Sequence, residues 1–129
     1  MKTVEVVAAI IRKDDKVLAT QRGYGDFKDG WEFPGGKVEK GETPEAAIVR
    51  EIQEELDVVI SVESFLTTVD YDYPTFHLTM HCYICTVAEG EVCLLEHEAA
   101  KWLDASTIDT VDWLPADIEA VKAVKELVI

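Results

Sequence analysis

The sequence is poor in basic residues. It contains 12 Lys and Arg against 26 Asp and Glu, a formal net charge of −14 at pH 7. A protein this acidic repels the backbone of DNA or RNA, so we expect no nucleic-acid polymer as a partner. A free triphosphate would also be repelled, and its binding would require a metal ion and a local Lys or Arg.

The chain also lacks long apolar runs and has few cysteines. No window reaches 18 apolar residues, and the N-terminus has no signal-peptide-like apolar stretch, so we expect a cytoplasmic protein without a membrane partner. Three cysteines, an odd number, favour free thiols over a disulfide framework. Cys82 and Cys85 lie three apart in a strand-like run, where side chains point to opposite faces, which disfavours a zinc or redox pair.

The hydrophobic pattern predicts one α/β domain over residues 1–129. Residues 3–12 form a near-continuous apolar run that is typical of a central strand buried on both faces. Apolar residues at helical spacing (Ile118, Val121, Val124 and Val128) predict a terminal helix. We predict strands over 3–12, 16–22, 31–33, 58–73, 75–87, 92–95 and 101–103, and helices over 44–56 and 115–129.

The stretch from Gly36 to Val58 contains the chain's most informative pattern. Thr43 and Pro44 predict a helix start, with a capping hydroxyl followed by a residue that needs no N–H. Ile48, Ile52 and Leu56 recur every four residues and predict the face that packs on the core. Glu51, Glu54 and Glu55 share the neighbouring face, where like charges repel. A divalent cation would offset this repulsion, and carboxylates suit Mg²⁺ or Mn²⁺.

These residues resemble the Nudix box of the nucleoside-diphosphate-linked-moiety hydrolases. The fixed positions that match are Gly36, Glu42, Arg50, Glu51, Glu54 and Glu55. The family expects Gly where this chain has Asp57. We predict that Asp57 ends the helix in the left-handed conformation, at a modest cost in stability and with the metal ligands intact.

The resemblance implies an α/β/α sandwich, a mixed β-sheet between helices, and metal-assisted hydrolysis of a phosphoanhydride. Glu51, Glu54 and Glu55, with a carbonyl of Gly35 or Gly36, would hold Mg²⁺ or Mn²⁺. One of Glu51, Glu54 or Glu96 would accept a proton from water. Arg50 would orient Glu51 by a charge-assisted hydrogen bond. The glycines fall in a segment, 33–37, that we predict to be a loop able to approach a ligand closely.

The resemblance is closest to the MutT-like group, which implies a nucleoside triphosphate substrate and release of pyrophosphate. The segment LPAD, residues 114–117, resembles the segment with which that group recognises the base. Asp117 at its end is the residue that the CTP-preferring branch carries. An ionised Asp117 would accept from the exocyclic amine of cytosine, although it could also accept from an oxidised guanine. The other residues implied in substrate binding are Arg22, Glu32, Phe33, Pro34 and Gly35.

Several alternatives stay open at this stage. Asp117 could be an acid favoured by the helix dipole, Arg22 a surface residue and Glu96 a solvated loop residue. The substrate could be ADP-ribose or a dinucleoside polyphosphate. A non-catalytic domain that senses a nucleotide or RNA would be a different class, although such domains usually lose box carboxylates. The protein could be a monomer or a homodimer.

Overall fold

The computed structural model describes residues 2–129 and places one seven-stranded sheet between two helices. The elements in chain order are β1 (Lys2–Lys13), β2 (Lys16–Arg22), β3 (Trp31–Glu32), β4 (Gly35–Lys37), α1 (Pro44–Leu56), β5 (Val59–Tyr73), β6 (Phe76–Glu89), β7 (His97–Leu103), a short 3-10 helix (Ile108–Thr110) and α2 (Pro115–Leu127). Within the described residues, no helix is long and apolar enough to cross a membrane.

Strand β1 is the centre of the sheet. It pairs in parallel with β6 and antiparallel with β2 and β4. The strand order is β3-β2-β1-β6-β5, with β4 paired to β1 and β7 paired to β2. Both faces of β1 are covered, so that Ile10 and Ile11, which point in opposite directions, are each fully buried. The apolar run is therefore a central strand as predicted, but its burial on both faces is limited to residues 7–11, since Thr3, Glu5 and Arg12 are exposed.

Each face of the sheet has its own hydrophobic core. Helix α2 covers one face, where Val121 and Val124 pack with Ile10. Helix α1 covers the other face through Ile48, Ile52 and Leu56. Cys82 and Cys85 belong to opposite cores, which confirms that they do not form a pair. The architecture is the predicted α/β/α sandwich with a mixed sheet.

Helix α1 begins and ends as predicted. The Thr43 side chain accepts a hydrogen bond from the Ala46 N–H at 3.1 Å, and Pro44 occupies the first helical position. Asp57 ends the helix at φ 55°, and its N–H donates to the Gln53 carbonyl at 3.1 Å. This left-handed conformation costs an L-residue energy that Gly does not incur.

The structure corrects two expectations about elements. The predicted loop at 33–37 contains β4, which pairs with β1, and a Cβ at Gly35 would collide with the Val7 carbonyl. Residues 92–95 form no strand. Instead, the N–H groups of Cys93 and Leu95 donate to the Leu56 and Glu55 carbonyls at the open end of α1. Sequence periodicity cannot show that those helix carbonyls need partners.

Boundaries and one core assignment also differ. Strand β7 begins at His97, four residues before the predicted start, and α2 ends at Leu127. Ile118 was expected in the apolar stripe of α2, but 46% of its surface is exposed. The core side of α2 is instead formed by Ala120, Val121 and Val124, because this face is the one turned to the sheet.

Replacing Asp57 with Gly should stabilise the fold. We expect Asp57→Gly to raise the free energy of unfolding by up to about 1 kcal/mol, because Gly adopts positive φ without strain. Asp57→Ala is the matched control. It should lower stability, because Ala keeps the Cβ and lacks the polar side chain that helps Asp adopt this conformation. Denaturant unfolding measures both, and a Gly variant no more stable than wild type would contradict the assignment.

Candidate active site

A cavity of about 390 Å³ opens beside β1 and β4. Three glutamates, Glu32, Glu55 and Glu96, contribute to its wall. The same cavity is also lined by Phe33, Gly35 and Gly36, by Arg22, and by Asp117 from the first turn of α2. The structure therefore brings together residues from the box, from β2, from the segment before β7 and from α2.

A carboxylate occupies the space beside Gly36 where a side chain would otherwise lie. A Cβ built at Gly36 would overlap the carboxyl group of Glu51. Strand β4 and helix α1 can thus approach until Glu51 lies directly against the Gly36 backbone. The glycines of the box serve close packing here, at β1 for Gly35 and at Glu51 for Gly36.

Arg50 is the centre of an ion-pair network that holds Glu51. Its guanidinium donates to both Glu42 oxygens at 2.7 and 2.8 Å and to Glu51 Oε1 at 2.8 Å. It also donates to the Lys37 carbonyl at 3.1 Å. The hydrogen bonds from Arg50 lower the pKa of Glu42 to about 2. The predicted contact between Arg50 and Glu51 is present, and Arg50 is fully engaged by the protein itself.

Glu55 is a half-buried carboxylate, and one of its two oxygens has no hydrogen-bond partner. Its Oε2 atom is inaccessible to solvent and makes no hydrogen bond. Burial raises the pKa of Glu55 to about 8, and the charges of Glu51, Glu32 and Glu96 add to this effect. Burial also raises the pKa of Glu51, against the influence of Arg50. An orphaned acid in such surroundings is destabilising unless a cation compensates it.

The box carboxylates are chemically suited to bind a divalent cation, although their side chains do not point to one common position. Within residues 2–129, no three His, Cys, Asp or Glu side chains are close enough together to hold a metal ion. Glu51 is turned to Arg50, and the Glu54 side chain is 58% exposed. The unpartnered oxygen of Glu55 and the nearby carboxylates of Glu51 and Glu96 are nevertheless hard oxygen donors, the kind of ligand that Mg²⁺ or Mn²⁺ prefers.

Arg22 is not a free surface residue. It forms a two-pronged ion pair with Glu32 at 2.7 and 3.2 Å, and it donates to the Asp26 carbonyl at 3.0 Å. Since both side chains line the cavity, the pair fixes a cationic group in a wall that also contains Glu55 and Glu96. Pro34, the remaining residue implied in binding, has its carbonyl accepting from the Ala9 N–H and does not line the cavity.

Asp117 lies in the cavity wall but differs from its expected ionisation. It is only 5% exposed, and its Oδ1 atom accepts a hydrogen bond from the Phe33 N–H at 2.9 Å. Burial raises the pKa of Asp117 to about 8. The carboxyl group is therefore mainly protonated at neutral pH, whereas the sequence suggested an ionised acceptor. Desolvation, which depends on the tertiary structure, causes the difference.

His97 and Tyr73 line the cavity but were not predicted as site residues from the sequence. His97 lies with Nε2 3.9 Å from Glu32 and 3.8 Å from Glu55, and burial lowers its pKa. Tyr73, at the end of β5, contributes its ring and hydroxyl. His97 directly follows Glu96, so adjacency to a predicted site residue was its one available signal. Tyr73 had no comparable signal.

Neutralising Glu55 should stabilise the metal-free protein at high pH. The pKa of Glu55 is about 8 in the fold, whereas the ordinary pKa of a glutamate is about 4.5. The native state therefore retains a proton that the unfolded chain has lost, and wild-type stability falls as pH rises from about 4.5 to 8. We expect Glu55→Gln to unfold at a higher temperature than wild type in EDTA, with a gap that widens over this range.

The exposed neighbour provides the control for that experiment. Glu54→Gln should leave thermal stability in EDTA nearly unchanged at every pH, because the Glu54 side chain is 58% exposed. A constant difference between Glu55→Gln and wild type from pH 5 to 9 would contradict the buried, proton-retaining state of Glu55.

Comparisons with known proteins show the family of this chain. The NUDIX domain model matches residues 1–124. The chain is 32% identical to the 8-oxo-dGTP diphosphatase of Escherichia coli K12, covering 98% of this chain and 100% of that protein. It is 35% identical to the CTP pyrophosphohydrolase of the same organism, covering 95% and 92%.

A solved structure gives the same result. The crystal structure of a MutT NUDIX hydrolase from Burkholderia pseudomallei superposes with a TM-score of 0.87 at 26% identity, covering 96% of this chain and 99% of that one. Family model, relatives and fold agree over almost the full length, and the chain belongs to the Nudix family.

Proposed function

We propose that this protein is a metal-dependent nucleoside triphosphate pyrophosphohydrolase of the MutT type, which releases a nucleoside monophosphate and pyrophosphate. The observation that carries the proposal is the solvent-inaccessible, unpartnered Oε2 atom of Glu55 at the cavity, with Glu51 and Glu96 close enough to raise the pKa of this carboxyl group. Relatives named 8-oxo-dGTP diphosphatase and CTP pyrophosphohydrolase support a cytidine or an oxidised guanine nucleotide as the substrate.

The residues that would hold the cation are Glu51, Glu54 and Glu55, with a carbonyl of Gly35 or Gly36. Nudix hydrolases generally need a divalent metal, and when bound it would neutralise phosphate charge and make a bound water more acidic. Glu54 is exposed and can rotate, whereas Glu51 is held by Arg50 and by the Gly36 backbone. Arg50 acts through Glu51, because its donors are already used within the protein.

Proton transfer from the attacking water requires a nearby carboxylate. Glu51 and Glu96 both act electrostatically on Glu55, which supports placing them beside the reacting phosphate. Glu54 points outward. We therefore assign the proton acceptor to Glu51 or Glu96 and the outer ligand role to Glu54. Arg22, fixed by Glu32, would supply the local cation that an acidic protein needs to retain a triphosphate.

The remaining wall of the cavity suits a nucleobase. Its apolar members include Phe27, Phe33, Leu78 and Met80, and Phe33 packs against Trp113 with ring centroids 4.6 Å apart. Asp117 is the buried polar group of this wall. Its Oδ1 is used by the Phe33 N–H, which leaves the other carboxyl oxygen for the base. When protonated, that oxygen can donate, and when ionised it can only accept.

A turnover screen tests the assignment directly. CTP, 5-methyl-dCTP, 8-oxo-dGTP, dGTP and ADP-ribose would be compared with Mg²⁺ present and after chelation. We expect hydrolysis of one or more of the triphosphates, with pyrophosphate as product and no turnover after chelation. Preferential hydrolysis of ADP-ribose, or no turnover of any compound, would contradict the proposal.

The box carboxylates should control turnover rather than binding. We expect Glu54→Gln or Glu55→Gln to lower kcat by roughly two decades or more, with smaller changes in KM, because the metal acts on the transition state. Glu119→Gln, an exposed acid on α2 that pairs with Lys122, is the control and should behave as wild type. Near wild-type kcat in either box variant would show that the ligand assignment is wrong.

Base preference should depend on pH through Asp117. As pH rises through about 8, Asp117 loses its proton and its free oxygen changes from donor to acceptor. One mismatched hydrogen bond in a buried site costs about 1–3 kcal/mol, so the ratios of kcat/KM among CTP, UTP and 8-oxo-dGTP should change by about tenfold.

The Asp117→Asn variant is the control for this titration. Asn keeps an oxygen for the Phe33 N–H and always offers a donor, so its ratios should vary with pH only as far as the bases themselves ionise. Ratios measured at pH 6.5 and 9 decide the matter. Identical pH profiles in the two proteins would remove Asp117 from base reading.

A further inference from the structure

Helix α2, which carries Asp117 into the cavity wall, cannot cap its own N-terminus. Leu114 occupies the N-cap position and makes no side-chain hydrogen bond, and Pro115 has no N–H. The first donor of the helix is therefore the N–H of Ala116, a residue that is fully buried. A buried N–H without a partner costs about 1–3 kcal/mol, so this helix start requires an acceptor from elsewhere.

Tyr73 supplies that acceptor from the far end of β5. Its hydroxyl oxygen accepts a hydrogen bond from the Ala116 N–H at 3.2 Å. The ring is fixed on several sides by aromatic contacts. Its centroid lies 5.1 Å from that of Phe76, 4.8 Å from that of Tyr71 and 5.2 Å from that of Phe27. A rigid ring thus presents one acceptor to the start of α2.

The contact adjoins the residue proposed to read the base. Asp117 directly follows Ala116, and its Oδ1 atom is held by the Phe33 N–H. Two hydrogen bonds therefore locate the Asp117 carboxyl. Its Oδ1 atom accepts one from the Phe33 N–H, and the preceding amide, the Ala116 N–H, donates the other to the Tyr73 hydroxyl oxygen. Tyr73 and Asp117 line the same cavity.

We propose that the Tyr73 hydroxyl is a positioning residue for base selection, which caps α2 from β5 and sets the position of Asp117. The proposal rests on the proposed function. Without the hydroxyl, the first turn of α2 can shift or fray, and the free oxygen of Asp117 no longer meets the base at one fixed distance. A displacement of this kind weakens discrimination between bases more than it weakens hydrolysis.

Tyr73→Phe tests the proposal, since it removes the hydroxyl and keeps the ring with its three aromatic contacts. The ratio of kcat/KM for CTP to that for UTP, and to that for 8-oxo-dGTP, would be measured in each protein. We expect the discrimination to fall by about five- to tenfold, mainly through KM, as the loss of one aligned hydrogen bond predicts.

Tyr71→Phe is the matched control. It deletes a hydroxyl from the same aromatic cluster, but within residues 2–129 the Tyr71 hydroxyl makes no side-chain hydrogen bond, and Tyr71 does not line the cavity. We expect its base ratios to equal those of wild type. Equal losses in the two variants would show that the cluster acts through packing alone and would overturn the proposal.

Two further measurements separate positioning from general destabilisation. The amide resonance of Ala116 should shift and exchange faster with solvent in Tyr73→Phe than in wild type. In an Asp117→Ala background, adding Tyr73→Phe should leave the base ratios unchanged, because Tyr73 acts through Asp117. Unchanged ratios in Tyr73→Phe alone, or additive effects in the double variant, would overturn the proposal.

The outcomes for wild type distinguish this inference from the function beneath it. Hydrolysis of triphosphates without base preference would leave the hydrolase assignment standing and would overturn the role of Tyr73. Failure to hydrolyse any triphosphate would overturn both.

Discussion

Electrostatic repulsion among carboxylates along α1 is the constraint on which the site depends. Glu51, Glu54 and Glu55 fall within five residues of one helix, in a protein that already carries a net charge of −14. Arg50 offsets part of the repulsion by bonding Glu42 and Glu51 together. Glu55 has no such partner, and its burial raises its pKa to about 8. When the cation is absent, Glu55 avoids the unfavourable charge by keeping its proton up to a pH of about 8, and a cation bound there would compete with that proton.

The α/β/α sandwich holds helix α1 against the sheet. Ile48, Ile52 and Leu56 bury one side of α1 on β1, which directs the carboxylates along the neighbouring side to the edge of the cavity. The absence of a side chain at Gly35 lets β4 lie directly on β1, and its absence at Gly36 leaves room for the Glu51 carboxyl. Packing and charge placement are therefore set by the same short segment.

The opposite layer positions the second half of the site. Helix α2 packs on the other core and carries Asp117, while Phe33 reaches it from the strand connection beside the box. The hydrogen bond between residues 33 and 117 joins the phosphate side of the cavity to the side that suits a base. In the proposed function, base discrimination and hydrolysis would thus depend on different layers, which meet across β1 and β6.

The sequence by itself determined the helices, the central strand and the box. Spacing of three and four residues is a local property of a helix, so the shared face of Glu51, Glu54 and Glu55, the Thr43 cap and the left-handed Asp57 could be read directly. The central strand was equally clear, because both of its faces are apolar over residues 7–11, where the strand is buried.

Only the tertiary structure decided which groups are buried together. The protonated state of Asp117, the orphaned oxygen of Glu55 and the place of His97 between two acids arise from desolvation and from contacts between distant segments. Residues 92–95 form no strand because the last carbonyls of α1 take their N–H groups. Tyr73 became part of the site because Leu114 and Pro115 leave the amide of Ala116 without a cap. Such long-range pairings leave no periodic signal in a single sequence, and for that reason they appear only in the fold.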